Sequence, residues 1–135
     1  MTEIYQPWSD QGILRIEQID HVQITIPRGK EEAARQFYCV LLGITEIEKP
    51  ETLQNRGGLW LQLGERQVHI GVEESGDREA TKAHIAYRVT GINGWRKVLG
   101  ENGVQILDGI PIPGADRFEF RDPFGNRVEF IERID

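Results

Sequence analysis

Three histidines and one glutamate carry the chemistry visible in this chain of 135 residues. His21 stands in Ile19-Asp20-His21-Val22, and His84 stands in Lys82-Ala83-His84-Ile85. His69 stands in Val68-His69-Ile70, and Glu129 stands in Val128-Glu129-Phe130. Imidazole nitrogen with carboxylate oxygen suits divalent transition metals, and two histidines plus one carboxylate leave positions open for a substrate. His21, His84 and Glu129 form such a set, with His69 as a candidate fourth ligand. The donor types do not choose among Zn²⁺, Ni²⁺, Mn²⁺, Fe²⁺ and Co²⁺.

Strands must position these groups. Residues 19–26 alternate apolar and polar side chains with period two, as do residues 83–89 and 127–131. The alternation sets His21 on one face with Gln23 and Thr25. It sets His84 with Ala86 and Arg88, and Glu129 with Arg127 and Ile131. Gln23 and Arg88 are thereby candidate substrate contacts. A helix is expected over residues 30–42, with Ala33, Ala34, Phe37 and Leu41 at helical spacing and Gly43 as its stop. Further strands are expected at 44–48, 59–63 and 67–72. The second half repeats the order: strand 83–89, a helix opened by Gly91 and closed by Gly103, strand 104–107, and a hairpin of 118–121 with 127–131. His21 and His84 then fall at equivalent places, as do His69 and Glu129. The expected fold class is α+β: two βαβββ modules, at about 17–75 and 81–133, follow an N-terminal arm over 1–16, whose Ile4, Tyr5 and Trp8 suggest docking.

Composition bounds the rest. A net charge of −6 with scattered basic residues argues against a nucleic-acid surface. No apolar run reaches the ~20 residues of a membrane span, and the N-terminus lacks a signal-peptide pattern. With a single cysteine, Cys39, a cytoplasmic protein is expected. Most arginines, Arg117 and Arg121 among them, are expected to be surface groups.

At this point the residues resemble the vicinal oxygen chelate superfamily, which includes glyoxalase I, extradiol dioxygenases, methylmalonyl-CoA epimerase, fosfomycin-resistance thiol transferases and bleomycin-binding proteins. The segments that carry the resemblance are Ile19-Asp20-His21-Val22, Phe37-Tyr38 with Leu41-Leu42-Gly43, Ala83-His84-Ile85-Ala86, and Asp122-Pro123-Phe124-Gly125-Asn126-Arg127-Val128-Glu129-Phe130. The resemblance implies paired modules whose mixed sheets curl around a central cavity. It also implies a divalent metal on His21, His84 and Glu129, a homodimer, and a small-molecule substrate that offers oxygens to the metal. In glyoxalase-type isomerisation the intermediate is an enediolate, and Glu129 would be the base. The chain departs from glyoxalase I at Thr25, where that enzyme has an arginine, and at His69, where it has a glutamate. Residues 110–116 lack the cation loop of fosfomycin transferases.

Three functions follow as expectations. The first is a metal-dependent lyase or isomerase. The second is a metal-free binding protein of the bleomycin-resistance type, using Trp60, Trp95 or Phe124 against a flat ligand. The third is a dioxygenase-like enzyme, which the single-domain length disfavours.

Overall fold

The computed structural model describes residues 11–134. The expected docking of Ile4, Tyr5 and Trp8 lies outside the described residues. Strand β1 spans His21–Ile26, β2 Thr45–Ile47, β3 Leu59–Leu63 and β4 Arg66–Val72. The second set is β5 His84–Arg88, β6 Leu107–Asp108, β7 Ala115–Arg121 and β8 Arg127–Arg133. Each set forms one four-stranded sheet, in the orders β1-β4-β3-β2 and β5-β8-β7-β6. In each, the first strand, β1 or β5, lies at one edge parallel to its neighbour, and the other pairs are antiparallel. The expected α+β fold of two βαβββ modules is therefore present, with both sheets open rather than closed into a barrel.

The repeat holds to the residue. His21 opens β1 and His84 opens β5. Gln23 pairs with His69 across β1 and β4, and Ala86 pairs with Glu129 across β5 and β8. Period-two alternation in each strand sends one set of side chains to the core and the other to the opposite face. The core residues Leu59, Leu61, Phe118, Phe120 and Phe130 are all nearly inaccessible and belong to one apolar cluster shared by both modules.

The helix expected over 30–42 forms, but its geometry changes part-way. Helix α1 spans Glu31–Ala34 and continues as a π-helix over Arg35–Leu41. The Leu42 amide donates to the Phe37 carbonyl, five residues back, and the Ile44 amide donates to Tyr38 beyond Gly43 at φ +77°. The wider turn advances the buried face by one residue, so Leu42 rather than Leu41 is buried. Helix α2, Ile92–Glu101, buries Ile92 and Leu99. The Glu132 carboxylate accepts the N–H groups of Gly91 and Ile92 at its start. The strand expected at 104–107 is displaced. The Val104 amide instead closes the helix end on the Leu99 carbonyl, and β6 begins at Leu107, opposite Glu119.

The Asp-Pro-Phe-Gly-Asn turn joins the modules. Asp122 is 5% exposed. Its carboxylate accepts the Tyr38 hydroxyl at 2.5 Å, the amides of Phe124 and Asn126 at 2.9 and 2.8 Å, and Asn126 Nδ2 at 2.9 Å. Asn126 Nδ2 also donates to the Thr25 carbonyl at the end of β1. One turn of the second module thus holds both the helix and the first strand of the other.

Candidate metal centre

On the first sheet, three aromatic rings from neighbouring strands form a stack. Trp60 faces His69 in the β3–β4 register. Their ring centroids are 3.8 Å apart and the planes 7° from parallel. His21 covers the other side of His69 at 4.0 Å and 17°. His69 is 5% exposed, and its Nε2 lies 2.8 Å from Gln67 Oε1. Burial, then the neighbouring His21, pushes its pKa below the ordinary histidine value, so the ring is held neutral. Trp60, weighed from sequence as a ligand platform or core residue, stacks on a candidate ligand instead. Trp95 packs edge-on against Phe130 in the core, and Phe124 packs against that core.

On the second sheet, His84 Nε2 lies 3.1 Å from Glu129 Oε1. Glu129 is 6% exposed. Arg117 clamps it, with Nε donating to Oε2 at 3.0 Å and Nη2 to Oε1 at 3.2 Å. Arg117 Nη2 also reaches Glu119 at 2.8 Å, and Arg127 holds Glu119 through contacts of 2.9 and 2.7 Å. The hydrogen bonds and charge of Arg117, with help from His84, hold the Glu129 carboxyl below the usual range against the opposing effect of burial. Arg127 does the same for Glu119. Arg117 is therefore part of the site, not the surface group expected from sequence. Its alternation with Phe118 in β7 was the available signal, since it shares a face with Glu119.

The donor groups fit a borderline divalent ion. His21 Nδ1 lies 2.9 Å from Asp20 Oδ1, and His84 Nδ1 lies 2.9 Å from the Lys82 carbonyl. With Nδ1–H donated to such an oxygen, Nε2 is the nitrogen turned to the site and able to ligate a metal that replaces its proton, the usual arrangement of ligating histidines. Two donors bound about 2.1 Å from one ion at a right angle are about 3.0 Å apart, close to the 3.1 Å between His84 and Glu129. His69 differs. A ring-nitrogen lone pair lies in the ring plane, so one ion shared by two imidazoles must lie near both planes. The His21 and His69 planes, stacked at 4.0 Å and 17°, do not meet within bonding distance. In this arrangement only one of them can serve a given ion, and His21 has the presented nitrogen.

One chain delivers these donors as two pairs, His21 with His69 and His84 with Glu129, on separate sheets. Among the described residues, no three His, Cys, Asp or Glu side chains are arranged so that they could hold one metal ion. The edges of β1 and β5 border a groove of about 540 Å³, lined by Gln23, Thr25, His84, Asn126 and Arg127. A second cavity of about 670 Å³ lies over the aromatic stack and is lined by His21, Gln23, Arg56, Trp60 and His69. Gln23 borders both and packs over Gly71, where a Cβ would lie 2.9 Å from its Nε2. Arg88 stands apart, beside an apolar cavity of about 270 Å³ with Leu42, Ile44, Trp95 and Phe130.

Comparison with known proteins agrees with this architecture. The family model of the Glyoxalase/Bleomycin resistance protein/Dioxygenase superfamily matches residues 18–130. A solved structure from Bacillus anthracis, described as a glyoxalase family protein, is 43% identical, with a TM-score of 0.82 over 90% of this chain and 98% of that one. A glyoxalase/dioxygenase from Nostoc punctiforme is 19% identical, with a TM-score of 0.73 over 100% of this chain and 99% of that one. A fosfomycin resistance protein mutant from Listeria monocytogenes, in complex with Mn(II) and 1S,2S-dihydroxypropylphosphonic acid, is 16% identical, with a TM-score of 0.72 over 88% of this chain and 94% of that one. The last two likenesses speak for the fold alone. The search of curated proteins gave no match. The chain belongs to the glyoxalase/bleomycin resistance protein/dioxygenase superfamily.

Proposed function

We propose that this protein is a divalent-metal-dependent lyase or isomerase acting on a small oxygenated substrate, with His21, His84 and Glu129 as ligands. The observation that carries this reading is the orientation of the two histidines. Each is pinned through Nδ1 to an oxygen, and each presents Nε2, with Glu129 beside one of them at ligand spacing. A metal held there would supply Lewis-acid polarisation of substrate oxygens. The chain's own groups supply the rest. Glu129 is ionised and buried, and moves a proton at its carboxylate once its cationic partners release it. The Trp60–His69 stack fixes the His21 ring and gives a flat, water-excluding wall to the substrate cavity. Gln23, at the mouth of both cavities, offers an amide to substrate oxygens.

The division of ligands between two sheets supports a homodimer in which His21 of one copy meets His84 and Glu129 of another. A second copy would complete the centre that one chain leaves in halves. The test is stoichiometric metal uptake with mass measured in solution. The expected result is one ion per chain in a particle of about twice 15.5 kDa, with uptake lost in His21→Ala, His84→Ala and Glu129→Gln. A protein that takes up none of Zn²⁺, Ni²⁺, Mn²⁺, Fe²⁺ or Co²⁺ would refute the reading.

Two observations favour a second reading, a metal-free binding protein. Arg117 already neutralises Glu129, and the Trp60–His69–His21 stack offers aromatic surface to a planar ligand. Thermal stabilisation by flat aromatic compounds, unchanged by chelator, would support it; stabilisation only with metal present would count against it.

A further inference from the structure

We propose that Arg117 is a resident countercation, seated by the β6–β7 loop, that occupies the Glu129 carboxylate and has to be displaced before Glu129 can ligate a divalent ion. The proposal rests on the metal reading above and adds a residue that competes with the metal.

The guanidinium is fully engaged. Nε and Nη2 grip both oxygens of Glu129, Nη2 also holds Glu119, and Nη1 donates to the Ile110 carbonyl at 3.0 Å. Its side chain is only 12% exposed. The loop is shaped to admit it. A Cβ at Gly109 would lie 2.0 Å from Arg117 Nη1 and 2.8 Å from Cζ, so a side chain at that position would evict the guanidinium. Gly109 has no positive φ, so its backbone accepts alanine.

Charge arithmetic gives the seat its meaning. Glu119 and Glu129 carry two negative charges, and Arg117 and Arg127 carry two positive ones. These four charges balance, and a divalent ion would add two positive charges at short range. Like charges held a few ångströms apart out of bulk water repel strongly. Of the two cations, Arg127 bonds Glu119 and the Lys82 carbonyl, while Arg117 sits on Glu129 itself. Arg117 is the one that must yield.

The test is calorimetric titration of the full-length protein with MnCl₂ and, separately, ZnCl₂. Arg117→Met removes the competing charge. Gly109→Ala keeps every charge and unseats the guanidinium, so it answers the question even where Arg117→Met fails to fold. Both are expected to bind Mn²⁺ at least about tenfold more tightly than wild type, and Glu129→Gln added to either is expected to abolish the gain. Affinity unchanged or weakened in both variants, with the wild type binding one ion per chain, would overturn the proposal. Arg117 would then be orienting Glu129 for the metal, and the metal reading would stand. Absence of uptake by wild type and both variants would remove the metal reading and this proposal together.

Discussion

Replacing Asp122 by alanine should weaken the bond between the two modules, and the size of the loss can be worked from its partners. The carboxylate accepts four hydrogen bonds, from the Tyr38 hydroxyl, two turn amides and Asn126 Nδ2. Tyr38 is completely buried, so its hydroxyl finds no water when Asp122 is removed. Burial, then the Asp122 charge, already raises the Tyr38 pKa well above its ordinary value, so it stays a neutral donor. An unsatisfied buried donor costs about 1–3 kcal/mol. Counting the hydroxyl and one turn amide in full, and treating the remaining donors as resolvated, puts the loss at about 2–6 kcal/mol. For a domain of this size the middle of that range, about 4 kcal/mol, corresponds to a fall in Tm of roughly 10–15 °C. Tyr38→Phe alone should cost about 1 kcal/mol, because Asp122 keeps its other donors. The assay is denaturant unfolding of both single variants and the double variant at one protein concentration, since association contributes to apparent stability. The double variant should show a coupling of about 1–2 kcal/mol between the two sites. A loss under about 1 kcal/mol for Asp122→Ala, or a coupling of zero, would refute the view that this turn clamps the modules.

Other perturbations have equally definite outcomes. Gly58→Ala should destabilise by about 2–4 kcal/mol in denaturant melts, because Gly58 has φ +79° and a Cβ there would lie 2.0 Å from the Ile70 carbonyl oxygen; a neutral result would disprove the close approach. His69 has its folded pKa below 6.5, so its contribution is complete above 6.5 and is lost as pH falls through the folded value. His69→Phe should therefore flatten the stability profile below pH 6.5, and an unchanged slope would contradict a buried neutral ring. Glu129 has its folded pKa below 4.5, so its contribution is present above 4.5 and is lost as pH falls through the depressed folded value. Glu129→Gln should shrink the acid-side slope in melts below pH 4.5, and a slope equal to wild type would mean that the Arg117 clamp contributes nothing to the fold.

What the sequence by itself determined was everything governed by local periodicity. Alternation in 19–26 and 83–89 places His21 and His84 at equivalent positions of equivalent strands. The repeat places His69 and Glu129 at equivalent positions of the last strand of each half. These relations need only the two-residue period of a strand and the order of elements, so they can be read without coordinates. The tertiary structure alone decided which donors meet. His21 and His69 share one sheet, and His84 and Glu129 share the other, because the strands of each module pair only among themselves and the two modules pack through Phe37, Phe120 and the Asp122 turn. Cross-strand packing turned His69 into the middle layer of a stack, since only the β3–β4 register sets Trp60 against it. The role of Arg117 was equally hidden. A long flexible side chain has many reachable partners, and the one it takes depends on a register between distant strands and on space left by a glycine in another loop. That choice is long-range geometry, which no pattern along a single strand encodes.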